Sequence, residues 1–79
     1  MHDYTYLTLD EARDALAEIG VELNDRQIRR AAEKDPFGRR KLPFFVDPVD
    51  GRLKIEKATL FRSWQAAQKE AVQACKLEM

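Results

Sequence analysis

The sequence predicts a mainly α domain carrying one small β-hairpin, in the order of a winged helix-turn-helix: two short helices, a two-stranded wing and a closing helix. Three observations carry this. Thr8 with Glu11 and Asn24 with Gln27 have the spacing at which two side chains cap each other's free backbone N–H at a helix start. Asp47-Pro48-Val49-Asp50-Gly51 has hairpin-turn chemistry and lies between two segments of alternating apolar character. After residue 57, apolar residues return at helical spacing.

The first helix is expected over about residues 9–19. Leu9, Ala12, Ala15, Leu16 and Ile19 share one face, Asp10, Asp14 and Glu18 fall away from it, and Gly20 supplies a left-handed stop. Val21 and Leu23 in the short link can plug the gap to the second helix, which Asn24 opens. Ile28, Ala31 and Ala32 give that helix a narrow stripe of mostly small residues for close packing. Its end is expected near Lys34, because Pro36 disfavours helical geometry at Asp35 and Gly38 breaks the pattern again. In the wing, Leu42, Phe44 and Val46 alternate with Pro43 and Phe45, and Leu53 and Ile55 alternate with Arg52, Lys54 and Glu56; Phe45 is an apolar exception on the outer face. Leu60, Phe61, Trp64, Ala67, Ala71, Val72 and Cys75 then line one side of a closing helix expected over about 57–75. Lys76-Leu77-Glu78-Met79 shows no packing pattern.

Seventy-nine residues make one domain, 1–79, with an expected core over 6–67 and a helical overhang over 68–75. A composition 44% apolar and 35% charged is that of a globular domain, and no apolar run approaches the ~20 residues that span a bilayer. The first residues lack the basic start and apolar stretch of a signal peptide, so a cytoplasmic location is expected. Cys75 has no second cysteine to pair with, and His2 is the one histidine; no Cys/His zinc site and no Ser/His/Asp or Cys/His set can be assembled. Aligning Gly51 with the glycine of a calcium loop leaves Val46, Pro48 and Lys57 where oxygen ligands belong. Neither a metal, a cofactor nor an enzymatic activity is expected.

Charge is more informative than composition. The 14 basic and 14 acidic residues cancel, yet positions 26–57 hold ten Lys/Arg against five Asp/Glu, while positions 1–25 hold one basic residue against seven acidic. A small protein polarised in this way can lay one side on a nucleic-acid backbone. Arg26, Gln27, Arg29 and Arg30 on the second helix are the candidates for reading base edges, since Arg can donate two parallel hydrogen bonds to guanine and Gln can pair with adenine. The competing reading is a solvated face in which Glu33 pairs with Arg29 and Arg30. Arg39, Arg40, Lys41, Arg52 and Lys54 are the candidates for phosphates, whereas Asp47 and Asp50 at the wing tip would repel them. Trp64, Phe61 and Phe44 are read as core rather than as base-stacking platforms, and Trp64→Ala is expected to cost roughly 3–5 kcal/mol and unfold the domain.

With these elements in order, the chain resembles the excisionase-like, MerR-type winged-helix DNA-binding domains of recombination directionality factors, small phage regulators and terminase small subunits. The resemblance covers about residues 6–64. It is carried by Tyr6-Leu7-Thr8-Leu9-Asp10-Glu11-Ala12, Leu16 with Ile19-Gly20-Val21, Gln27-Ile28-Arg29-Arg30, Lys41-Leu42-Pro43, and Phe61 with Trp64. Two departures stand out: Glu22-Leu23-Asn24 is a longer turn capped by Asn where the family has Ser or Thr, and Asp35-Pro36-Phe37-Gly38-Arg39-Arg40 is a longer and more basic link into the wing.

The resemblance implies a sequence-specific duplex-DNA-binding protein of phage, prophage or plasmid type, acting in recombination or as a small transcriptional regulator. It also implies neighbouring copies on DNA or a recombinase as partners; the lack of a long apolar run separately leads to the expectation of no membrane partner. Independently of the resemblance, the overhang and the acidic first helix leave open a second reading, a protein-interaction module on the same scaffold that does not touch DNA.

Overall fold

The computed structural model describes residues 4–77, and the readings of His2 and of the closing Glu78-Met79 lie outside the described residues. The chain runs β1 (Tyr6–Leu7), α1 (Leu9–Glu18), α2 (Asp25–Ala32), β2 (Phe45–Val46), β3 (Leu53–Glu56) and α3 (Lys57–Leu77). It is a small mixed fold of three helices and a three-stranded antiparallel sheet of order β1-β3-β2.

Both expected caps form. Thr8 and Glu11 close the first capping box, with each side chain on the other's backbone N–H at 3.3 and 3.0 Å, and Asn24 and Gln27 close the second at 2.8 and 2.9 Å. Gly20, at a φ of 90°, turns the chain out of α1 in the left-handed region that glycine tolerates. Ile19 caps α1 rather than extending its apolar face and is 52% exposed.

The second helix ends two residues before Lys34. Glu33 is already extended, and the carbonyls of Ala31 and Ala32 are taken by the backbone N–H of Leu42 at 3.0 Å and by Arg40 Nε at 2.8 Å. The returning chain therefore stops the helix before Pro36 can. Glu33, as its cap, makes no ion pair with Arg29 or Arg30 among the described residues.

The hairpin is shorter than expected on its first side. Pro43 has no N–H to give, and Phe44 N–H folds back onto the Leu42 carbonyl at 2.7 Å, so pairing begins only at Phe45. Phe45 then faces Lys54 and Val46 faces Leu53. Val46, expected to point inward, is exposed at this edge. The strand absent from the sequence reading is β1: Tyr6 pairs with Glu56 and Leu7 with Ile55, and Lys57 N–H donates to the Thr5 carbonyl at 2.8 Å. Tyr6 and Phe45 flank β3 from opposite sides, and their rings meet edge to face at 5.7 Å.

Every helix and two of the strands feed one core: Leu7, Ala12, Leu16, Ile28, Ala32, Leu42, Phe44, Ile55 and Leu60 are buried together. Glu56 launches α3 by accepting from the backbone N–H of Ala58 and Thr59 at 2.8 and 3.2 Å, which holds its carboxyl below the ordinary glutamate range. With no Gly or Pro to interrupt it, α3 runs 21 residues, about 31 Å, and from Gln65 through Cys75 every residue is exposed. Trp64 and Phe61 are half-buried against the core rather than enclosed by it.

Candidate nucleic-acid interface

The orientation of α2 follows from what holds its two ends. At its start, Arg13 on α1 bridges to the Asp25 carboxylate and also lies 4.0 and 3.9 Å from Asp10 and Asp14. At its finish are the Arg40 and Leu42 contacts to the last carbonyls. Between them Ile28 and Ala32 are buried, so the opposite side of the helix faces outward. Arg26, Gln27, Arg29 and Arg30 are all exposed. Gln27 is not wholly free, since its side-chain oxygen accepts from Asn24 N–H at 2.9 Å.

The five residues expected at phosphates do not act as one set. Arg52 does approach α2: Arg29 and Arg52 line one open groove, together with Thr8, Asp10 and Gly51. Arg39 is exposed, although its backbone is tied to Asp35. Lys41 lies on another side, lining a groove with Ser63, Trp64 and Ala67 of α3. Arg40 turns back to cap α2 and is half-buried.

Lys54 is ion-paired within the hairpin. Its ammonium sits 2.9 Å from Asp47 and 3.0 Å from Asp50, with 23% of the side chain exposed. These two carboxylates raise the lysine above its ordinary value. Asp47 is held below the usual carboxylate range first by the Val49 N–H and then by Lys54; Asp50 is lowered by the Arg52 N–H and then by Lys54. The carboxylates of the turn therefore fold the hairpin and engage its lysine. Among the described residues no cluster of three His, Cys, Asp or Glu offers a metal site, and no helix is long and apolar enough to cross a membrane.

Arg26, Arg29 and Arg30 of α2 are exposed, and Arg29 shares its groove with Arg52. No family model, curated protein or solved structure matches the chain. Outward guanidinium groups on a helix anchored at both ends can make paired hydrogen bonds to a base edge or to phosphate, and Arg52 can follow the backbone beside them.

Two further residues are positioned by the fold. Arg13 is the bridge between α1 and α2, and the excess of carboxylates around it in the first 25 positions was the available signal. Phe37 is exposed at the tip of the loop after α2, and the Asp35-Pro36-Phe37-Gly38 turn chemistry was its signal.

Proposed function

We propose that this protein is a sequence-specific duplex-DNA-binding protein whose helix-turn-helix pair, α1 and α2, and hairpin act as a winged helix. In this reading α2 enters the major groove and Arg52 follows the adjacent phosphates. The observation that carries it is the arrangement of Arg26, Arg29 and Arg30 on the outward side of a helix fixed at both ends, with Arg29 and Arg52 on one groove. The resemblance to excisionase-like domains extends the proposal to an architectural role in site-specific recombination or to small-regulator activity in a phage, prophage or plasmid.

The test is selection of bound duplexes from a random pool, comparing the wild type with an Arg26/Arg29/Arg30→Ala variant shown to be folded by circular dichroism. An enriched motif that the variant loses is the expected result. No enrichment by the folded wild type would turn attention to the second reading, a partner-binding module. That reading has its own support in α3, whose exposed stretch carries Ala67, Ala71 and Val72 outside the hydrophobic core.

A further inference from the structure

Phe37 stands at the tip of the loop between α2 and β2, 86% exposed, and the loop is built to keep it there. The Asp35 carboxylate accepts from the backbone N–H of Phe37 and of Arg39, both at 2.9 Å. Asp35 N–H donates to the Arg39 carbonyl at 2.7 Å, and Gly38 N–H donates to the Asp35 carbonyl at 2.9 Å. Gly38 makes the turn possible with a φ of 79°. Behind it, Arg40 and Leu42 fasten the loop to the end of α2. An aromatic ring gains by leaving water, and a floppy loop would let it fold back onto the protein. A turn closed by four hydrogen bonds instead presents it outward.

Its surroundings indicate to what. Val49, 93% exposed at the tip of the wing, lies between Asp47 and Asp50, whose charge opposes a polyanion. Residues 33–41, around Phe37, carry Lys34, Arg39, Arg40 and Lys41 against Glu33 and Asp35, and the Asp35 carboxylate is turned onto the backbone N–H of Phe37 and Arg39. Of the two apolar tips, Phe37 is the one in a segment of net positive charge, which favours phosphate.

We propose that Phe37 is an apolar wedge that enters the duplex beside the segment read by α2 and partly unstacks one base step. The proposal rests on the DNA-binding reading above. An apolar side chain inserted between base steps kinks a duplex, and cations on either side of it can hold the flanking phosphates through the distortion.

The experiment uses the duplex selected by the wild type, with 2-aminopurine placed at successive positions in and beside the motif. Wild-type binding should brighten the probe at one step, where stacking is relieved. Phe37→Ala should bind about 10-fold more weakly and lose the brightening, with an unchanged salt dependence because no charge is removed. Phe37→Leu should retain both, since a wedge needs apolar bulk rather than an aromatic ring. A selected duplex that Phe37→Ala binds as tightly as the wild type, or on which no probe brightens, overturns the wedge and leaves the DNA reading standing. A folded wild type that selects no duplex overturns both.

Discussion

Leu60 and Trp64 lie one turn apart on α3, yet their truncation removes different things. Leu60 is fully enclosed at 0% exposure, among side chains from α1, α2 and the sheet, so Leu60→Ala leaves a cavity that a small core cannot close. The expected cost is about 2–5 kcal/mol, comparable to the whole stability of many domains of this size, and the variant should be largely unfolded at 25 °C. Trp64 is the larger side chain but only half-buried at the point where α3 leaves the body, with solvent on the far side of its ring. Its removal should therefore cost less than a fully buried Trp, roughly 2 kcal/mol. The variant should stay folded with a melting temperature lower by about 10 °C. Thermal circular dichroism of the two variants checks both outcomes, and a Trp64→Ala protein less stable than Leu60→Ala would overturn this assignment of the core.

The hairpin illustrates why an element can be stable with little pairing. β2 contributes only Phe45 and Val46, and the turn is held instead by the Asp47 carboxylate on the N–H of Val49 and Asp50, by Asp50 on Arg52, and by Lys54 on both carboxylates. Both carboxyls are lowered in the folded protein, so their contribution is complete above the ordinary aspartate range and is lost as pH falls through the lowered values. Lys54 is raised, so its contribution is complete below the ordinary lysine range and is lost only as strong alkali deprotonates it. Acidification below about pH 4 should therefore loosen the 47–54 turn before α1 and α2 separate, and Asp47→Asn should loosen it at neutral pH. Amide exchange of Val49, Asp50 and Arg52 followed by NMR checks this; uniform protection loss across the chain would overturn it. The sequence made the helix caps legible because they depend on residues three apart. It also showed the turn, whose chemistry is equally local. It did not show β1, because Tyr6 and Leu7 are too few to set a period and become a strand only through Glu56 and Ile55, some fifty positions away. Nor did it show that Arg40 and Lys54 have partners: each is a basic residue in a basic stretch until the fold brings Ala32 or Asp47 to it.

Over the whole molecule, these engagements divide a basic region that the sequence presents as continuous. Salt dependence of duplex binding counts cations that displace counterions from phosphate, with a slope of about −0.9 per contact on B-form DNA. A lysine held by two carboxylates and an arginine closing a helix have little freedom to make such contacts, whereas an exposed guanidinium pays no comparable cost to turn toward a phosphate. Arg39→Ala together with Arg52→Ala should thus flatten the slope by about 2 while leaving thermal stability unchanged, because neither side chain holds the fold. Arg40→Ala should do the reverse. It uncaps the end of α2 at a cost of about 1 kcal/mol and weakens binding by displacing the helix, with the slope retained. Lys54→Ala should behave like Arg40→Ala, and any loss of affinity should accompany disorder of the 47–54 turn. Titrations of the selected duplex across a salt series, read beside melting curves, separate the two classes. If Lys54→Ala and Arg40→Ala flatten the slope as strongly as the Arg39/Arg52 pair, the partnered cations also bind phosphate and the division fails. If none of them changes it, the contacts reside on α2 alone and the wing serves to hold that helix in place.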